Sequence, residues 1–349
     1  MTQLISARKA ATMGVLPDGR ATAWPSELVD LLHDAGSFRQ AVPQALGGLD
    51  LPARDRLHTY AAVAEGDVAC ALILTQHDAA CELMAGEPEH SDSQSVLRQC
   101  ATDRMLVSVG ISQLTTSRRG NGGPALRARP VTGGFSLDGV MPWVTAARHA
   151  ACVVTGAVCE NKEEILAIVR AETEGLKPQD DFRLMALEKS GTAEMTCEQL
   201  FVPAATVIRG PTENVLKRRS PVKSLTVTFV ALGIARRMMQ EIASSNMPSS
   251  FDESIRRARA ALNDWEGSLD EWSARLDDPG VEVPKESLRA QGNHLLSQLA
   301  STLMIVSKGS GYVSTHVAQE LYREAAFFLV WSAPDGVRSN TLERIWNIS

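Results

Sequence analysis

Residues 54–84 read RDRLHTYAAVAEGDVACALILTQHDAACELM, and this stretch sets the character of the first part of the chain. Its centre is apolar almost all round, which is typical of a buried helix. Gly66 and Asp67 interrupt the pattern, so we expect a break there. Residues 24–36 and about 92–101 predict further helices on either side. We therefore expect residues 1–104 to form an all-helical domain.

The pattern changes at Met105, where short runs with β propensity replace the helical period. Gly, Pro and Asn separate these runs, which read MLVSVGI, PALRARPV, GGFSLDG, HAACVVTGAV, EILAIVRAE and EMTCEQLFV. Alternation on both sides of Gly133-Gly134 predicts a hairpin. Asp138 and Gly139 are expected to form the turn at the hairpin end, where Gly supplies a positive φ. Residues 105–215 are therefore expected to be a small antiparallel barrel or sandwich.

The helical period returns from about Pro221. The segment SLTVTFVALGIARRMMQEIASS predicts a long helix, and three more are predicted over residues 251–276, 285–306 and 312–330. Four helices are the number in an up-down bundle. The predicted fold class is α+β and multidomain, with a helical bundle over residues 216–349.

Composition and charge exclude several classes of function. The net charge is −6, from 35 Lys and Arg against 41 Asp and Glu, so we expect no nucleic-acid partner. We find no apolar run of the roughly 18 residues that a membrane span needs, and no signal-peptide pattern at the start. The six cysteines fit no zinc pattern, so they are expected to be reduced, mostly buried thiols of a cytoplasmic protein. No metal site, Ser/His/Asp motif or Walker loop is predicted.

Several motifs, in order along the chain, resemble segments of the acyl-CoA dehydrogenase family. They read AVPQALGGLDL, FSLDGVMPWVTAA, MALEKSGTAEMTCEQLFVP and GSGYVSTHVAQELYREAAFF, and they lie between residues 24 and 346. The resemblance implies an N-terminal helical domain, a middle β-domain and a C-terminal four-helix domain. It also implies FAD between the last two, an acyl-thioester substrate, and a homodimer or homotetramer.

The same resemblance implies which residues contact the flavin. Trp143 and Thr145, in PWVTAA, match the family residues that contact the isoalloxazine ring. Ser112, in VGISQ, lies where the family has a flavin-bonding Thr, and it keeps the hydroxyl. A tryptophan supplies a flat wall and a hydroxyl can bond the ring, although core packing is the usual role of a tryptophan in a strand.

The family's catalytic glutamate is missing. The family reaction removes a proton from the carbon α to the thioester, which needs a nearby carboxylate. Counting from Arg323 in YREAAFFLVWSAP places Ser332 at that position. Some family members carry the glutamate earlier, and aligning GIARRM places Lys223 there. Serine cannot act as that base unaided, whereas a buried lysine could, and a solvated lysine is the alternative.

Segments of the family that bind FAD and substrate also differ in this chain. Ile305 and Lys308 replace the Gln and first Gly of the adenine-side segment, so FMN is an alternative to FAD and flavin binding itself stays open. In the loop after Ser112, Arg118 and Arg119 are expected either to bind an anionic part of the substrate or to face solvent. His77 lies in a stretch that lines the family's acyl pocket, and it is expected to contact substrate or to be a satisfied core histidine.

Three functions remain open on this evidence. The first is a flavin-dependent oxidoreductase of acyl-CoA dehydrogenase type with a non-standard or missing base. The second is a flavin-dependent monooxygenase on the same fold, for which the missing glutamate does not count against the function. The third is a non-catalytic relative that binds a ligand without turnover.

Overall fold

The computed structural model describes residues 24–115, 123–217, 220, 222–278 and 280–347. Helices form the N-terminal part, close to the predicted positions: α1 Ser26–Asp34, α2 Ala53–Gly66, α3 Val68–Ala85 and α4 Ser91–Thr102. The predicted break separates α2 from α3 at Asp67, whose backbone is extended. The Asp67 carboxylate accepts a hydrogen bond from the Cys70 amide at 2.8 Å and so caps the start of α3.

Helix α3 has the length and mean hydropathy of a membrane span, although no continuous apolar run in the sequence is that long. It covers 18 residues, and 72% of that window is buried inside the protein. Thr75, Gln76, His77 and Asp78 divide its two apolar blocks. Its burial explains the composition as that of a central core helix.

Eight strands form one sheet in the described part of the middle region. They are β1 Val107–Gly110, β2 Leu126–Val131, β3 Gly134–Val144, β4 Cys152–Cys159, β5 Glu164–Arg170, β6 Leu176–Pro178, β7 Ala193–Pro203 and β8 Val207–Thr212. The order is β6-β7-β3-β2-β4-β5-β8, and β1 pairs with β4. Most pairs are antiparallel, but β1 and β2 each run parallel to β4. A short helix, α5 Ser112–Thr115, follows β1.

The predicted hairpin joins β2 to β3, with Val131 opposite Gly134. The expectation that Asp138 and Gly139 form a turn was wrong. Both lie inside β3, where the register against β7 shifts between Leu137 and Gly139. Gly139 does have a positive φ of 127°, and a side chain there would meet the Ala125 carbonyl oxygen at 2.1 Å. The positive φ therefore belongs to a bulge, since a bulged strand needs the same backbone freedom as a turn.

The C-terminal part contains the four predicted helices and one more. They are α6 Thr226–Ser244, α7 Asp252–Ala274, α8 Lys285–Ser307, α9 Val317–Phe327 and α10 Asp335–Trp346. Residues Lys308–Tyr312 form a 3₁₀ turn, so the fourth helix begins later than predicted. Helix α10 was not predicted, because its apolar residues are few and most of them are exposed.

Helices from both ends of the chain share one hydrophobic core. Helices α2 and α6 pack so closely that a side chain at Gly233 would meet the Ala61 carbonyl oxygen at 2.2 Å. A second core lies within the sheet, and a third lies between the sheet and helices α3 and α4. All six cysteines are free and buried, as predicted. The sheet thus packs against helices α3 and α4, and the end of β3 lies close to the contact between sheet and helices.

Candidate functional site

Trp143, near the end of β3, is not part of the core. About half of the residue is exposed, at 52%, whereas Trp265 in the helical core is fully buried. The indole touches one aromatic neighbour, Phe182, at a centroid distance of 4.6 Å. The adjacent Val144 is fully buried and anchors the strand in the core. The strand therefore directs the Trp143 indole away from the core. An anchored, exposed indole is available as a wall for a flat ligand.

Thr145, two residues after Trp143, belongs to a hydrogen-bonded chain of buried hydroxyl groups. The Thr192 hydroxyl donates to Thr145 Oγ1 at 3.2 Å and lies 2.8 Å from Ser190 Oγ. The Ser108 hydroxyl donates to the Thr145 carbonyl at 2.7 Å. Because Thr145 Oγ1 accepts in this chain, its own proton is left for another acceptor. These bonds hold the hydroxyl in a fixed direction beside the indole.

Ser112, the third residue predicted to contact flavin, lies just after β1. Ser112 begins α5, which packs against β3. Two residues earlier, Gly110 lies so close to Met141 of β3 that a side chain there would meet its sulfur at 2.7 Å. The next residue, Gln113, is buried and donates to the carbonyl oxygens of Gly110 and Gly156 at 2.7 and 2.8 Å. Gln113 thus fixes the turn that carries Ser112, and Ser112 itself is half-buried.

A cavity of about 480 Å³ lies beside this face, between the loop 183–189 and the start of α9. The loop directly follows Phe182, the aromatic neighbour of Trp143. Its last residue, Lys189, precedes Ser190 of the hydroxyl chain. Sequence continuity therefore joins the cavity to both the indole and the hydroxyl groups.

The cavity contains a buried carboxyl group that the sequence motifs did not single out. Glu324, on α9, is 7% exposed and lines the cavity. Burial, followed by the neighbouring Glu320, raises the pKa of Glu324 to about 8, against the opposing effect of Lys189 and Arg323. At neutral pH this carboxyl group mostly holds a proton. In the sequence, Glu324 is the middle residue of Arg323-Glu324-Ala325, the motif match from which the position of the missing base was counted.

Lys189 is held at the cavity by an ion pair with Asp67, the residue that caps α3. Burial opposes the charge on Lys189, but Asp67 outweighs it and the pKa of the lysine is raised. This pair connects the N-terminal helices to the wall of the cavity. Neither partner was among the sequence-predicted site residues, because they are far apart in the chain.

The structure does not bring the two positions that replace the family base together, and neither faces the large cavity. Ser332 is exposed, with a φ of 45°, in the segment between α9 and α10. Arg289 holds this segment in place, since its guanidinium donates to the Trp331 carbonyl at 3.2 Å. Lys223 is also exposed and lines a separate cavity of about 330 Å³, together with Lys217. In the described part of the chain, neither position has the burial that would make it a base.

His77 occupies the core, as the alternative interpretation predicted. It is fully buried, its Nε2 lies 2.9 Å from the Phe38 carbonyl, and its Nδ1 accepts from the Val107 amide at 3.3 Å. Burial lowers its pKa to about 4, so the ring is neutral. His77 also lies near Cys81 and Cys100, with the ligand atoms within 4.8 Å of one another. Both ring nitrogens already bond the backbone, so packing explains the trio.

The two predicted arginines, Arg118 and Arg119, lie outside the described residues. Their proposed contact with an anionic group stays a prediction. The described chain ends on this side at Thr115, which lines the smaller cavity with Lys223.

Comparisons with known proteins bear on the fold. No family model matches the chain. It is 23% identical over 327 residues to Probable acyl-CoA dehydrogenase YngJ of Bacillus subtilis (strain 168), covering 86% of this chain and 84% of that protein. The described fold matches that of glutaryl-coenzyme A dehydrogenase in its glutaryl-CoA complex with a TM-score of 0.83, at 12% identity, over 100% of this chain and 95% of the other.

A second solved structure of the same fold is FMN-bound TdsC from Paenibacillus sp. A11-2. The TM-score is 0.84 at 15% identity, over 99% of this chain and 96% of that chain. Another structure of TdsC describes it as a dibenzothiophene monooxygenase. Together these matches confirm the fold class and the resemblance predicted from the motifs.

Proposed function

We propose that this chain, which has the acyl-CoA dehydrogenase fold, is a flavin-dependent oxidoreductase. The exposed indole of Trp143 beside the ordered hydroxyl of Thr145 carries the proposal. A flavin ring has two flat faces and a polar edge, and these two side chains fit one of the faces and that edge. A tryptophan in a strand usually packs in the core, whereas the Trp143 side chain is half-exposed where the sheet meets the helices.

When bound, the flavin would supply the redox chemistry, and the chain's own residues would hold and orient it. Trp143 would cover one face, Thr145 would donate to the polar edge, and Ser112 would add a second hydroxyl. The hydroxyl chain through Thr192 and Ser190 keeps Thr145 in place without reorganisation. A side chain at Gly110 would meet the Met141 sulfur at 2.7 Å, so β1 and β3 pack closely at this point.

The substrate proposed first is an acyl thioester, because the motifs and the curated relative point to acyl-CoA dehydrogenases. This chain lacks a carboxylate at position 332, and Ser332 and Lys223 are both exposed. Dehydrogenation would therefore need a base at a different position. Among the described cavity-lining groups, Glu324 has a pKa near 8, in the range suited to proton transfer.

A second candidate function is a flavin-dependent monooxygenase. It is favoured by the exposed serine at the base position, since oxygen transfer through a reduced flavin does not need that carboxylate. The fold match to TdsC, described as a dibenzothiophene monooxygenase, supports the same alternative. A non-catalytic relative that binds a ligand is the third candidate, and the replaced FAD-binding residues Ile305 and Lys308 favour it.

We propose FAD as the flavin, with FMN as the alternative. We also propose that the chain forms a homodimer or homotetramer, because large apolar side chains are exposed in its C-terminal part, among them Tyr312 at 85% and Trp346 at 71%. A cytoplasmic location fits the six free thiols. Three domains, over 1–104, 105–215 and 216–349, fit the order of the elements.

Anaerobic bleaching of the flavin-loaded protein tests the reaction class. An acyl-thioester dehydrogenase should lose its flavin absorbance on addition of a short- or medium-chain acyl-CoA. A monooxygenase should be unaffected by the acyl-CoA, should bleach with a chemical reductant, and should then consume oxygen. A flavin-loaded protein that responds to acyl-CoA would exclude the monooxygenase, and the reverse result would exclude the dehydrogenase.

A further inference from the structure

At the large cavity one buried carboxyl group, that of Glu324, has no cation of its own among the described residues. Asp67, Glu320 and Glu324 act on one another there, and Lys189 and Arg323 are the cations close enough to affect them. The three carboxyl groups come from two elements, the α2–α3 junction and α9. This cluster of carboxyl groups therefore arises from the packing of separate parts of the chain.

The two cations are already engaged by other partners. Lys189 forms its ion pair with Asp67. The Arg323 guanidinium donates to Gln319 at 2.9 Å and to the Met185 carbonyl at 2.5 Å. Neither cation contacts Glu324 within ion-pair distance in the described structure. The Glu324 carboxyl group is thus close to both cations but forms an ion pair with neither.

Glu324 is more than nine-tenths buried and still lines the cavity. No hydrogen bond joins its carboxyl group to any residue that the structure describes. Glu320 lies one turn earlier on α9 and also lines the cavity. Side chains four apart on a helix are neighbours, with Cβ atoms about 5–6 Å apart. The two carboxyl groups therefore face the same space.

Two further charged groups line the cavity from the loop, and they offset each other. Arg183 is exposed and Glu188 is half-buried. The remaining loop residues, Leu184, Met185, Ala186 and Leu187, are apolar. The cavity thus combines the charged groups of Glu320, Arg323 and Glu324 on α9 with apolar side chains of the loop.

We propose that this cavity binds a basic amine, whose ammonium group is held by Glu320 and Glu324 and whose apolar part contacts Leu184 and Ala186. An ammonium group has three donors and no acceptor, so it suits two carboxylates that lack their own donors. A divalent cation fits less well, because the described carboxyl groups at this cavity form no three-ligand cluster.

The proposal predicts a competition between the amine and a proton. Without ligand, Glu324 holds a proton up to a pKa of about 8. An alkylammonium ion, like the lysine ammonium with a pKa of about 10.4, stays charged across this range. The ligand must displace the proton, so its apparent affinity is proportional to the ionised fraction of Glu324. Affinity should rise about tenfold per pH unit up to about pH 8 and then level off.

Calorimetric titration of the full-length protein with n-hexylamine tests this, with hexan-1-ol as the uncharged probe. The wild type should bind hexylamine more tightly than hexanol, with the pH dependence given above. Glu324→Gln should weaken hexylamine binding at pH 9 by at least tenfold and remove the pH dependence. Glutamine has the shape of the protonated acid, so the variant should fold normally at pH 6. Glu271→Gln, on the exposed side of α7, is the matched control and should bind as the wild type does.

Equal affinity for amine and alcohol would overturn the proposal, as would undetectable amine binding at every pH or unchanged binding by Glu324→Gln. The proposal adds a substrate class to the proposed flavin enzyme, and only that extension rests on the flavin. A colourless protein that binds hexylamine would overturn the flavin proposal and leave the amine site standing. A yellow protein that does not bind hexylamine would overturn the amine site and leave the flavin proposal standing.

Discussion

Trp143 is the residue on which the proposed flavin site depends most. Its indole is half-exposed and touches only Phe182 among the described aromatic rings. We expect Trp143→Ala to weaken flavin binding by about 0.5–1.5 kcal/mol, the usual worth of an aromatic contact, which is up to about tenfold in Kd. Fluorescence titration of the apoprotein with FAD and FMN measures the change.

Trp346→Ala is the matched control for this variant. Trp346 is even more exposed, at 71%, but lies on α10, away from the sheet. Its removal should leave flavin affinity unchanged. If both variants bind flavin like the wild type, Trp143 is not a wall of the flavin site.

Glu324 should make the stability of the protein depend on pH. Its pKa is about 8 in the folded chain, against an ordinary value of 4.5, so the folded state holds a proton that the unfolded state releases between these values. Stability contributed by this proton is present below about pH 4.5 and is lost as pH rises to about 8. The loss is at most about 1.4 kcal/mol per pH unit.

Urea unfolding at pH 5, 7 and 9 measures this effect. Glu324→Gln keeps the uncharged form at every pH, so it should lose less stability than the wild type as pH rises. Glu271→Gln should follow the wild type. Parallel curves for the wild type and Glu324→Gln would show that the carboxyl group titrates normally.

At the scale of elements, the contact between α2 and α6 holds the two helical parts together. It depends on Gly233, where an added Cβ would meet the Ala61 carbonyl oxygen at 2.2 Å and the Ala64 Cβ at 2.7 Å. The helix backbones cannot separate without disturbing the shared core. We expect Gly233→Ala to destabilise the protein by about 1–3 kcal/mol or more, measured by urea unfolding.

Gly267 provides the matched substitution in α7. An added Cβ there meets nothing within 4 Å, and the residue is exposed. Gly267→Ala should therefore stabilise the protein by up to about 1 kcal/mol, through helix propensity alone. A loss of stability in both variants would indicate a general intolerance of alanine rather than a close helix contact.

The sequence predicted elements well where a single period dominates. The break at Asp67 was predictable, because a capping residue interrupts an otherwise apolar helix. The bulge at Gly139 was not, since bulge and turn both need positive φ and differ only in the partner strand. Helix α10 was missed because its exposed face carries Leu342, Ile345 and Trp346, which breaks the usual amphipathic pattern.

At the scale of the whole molecule, exposed apolar side chains in the C-terminal part of the chain indicate self-association. Tyr312, Val330 and Trp346 are exposed by 85%, 74% and 71%. Sedimentation equilibrium should give a mass of at least twice the 37.6 kDa of one chain. Tyr312→Asp combined with Val330→Asp should lower it, whereas Phe201→Asp on β7 should not. A monomeric wild type would contradict the expected oligomer.

The candidate site was predictable only in part. Ser112, Trp143 and Thr145 were found through motif positions, and their joint role in a flavin site stays a prediction. The cavity was not predictable, because it brings together Asp67, Lys189 and Glu324, which are distant in sequence. Sequence periodicity reports local structure, whereas such charge clusters arise only after the helices and sheet have packed.

The visible absorption spectrum tests the central claim most directly. Purified full-length protein is incubated with FAD or FMN, separated from free flavin by gel filtration, and scanned. The account predicts a yellow protein with the two flavin bands and near-stoichiometric flavin. A colourless protein that retains neither flavin would contradict it.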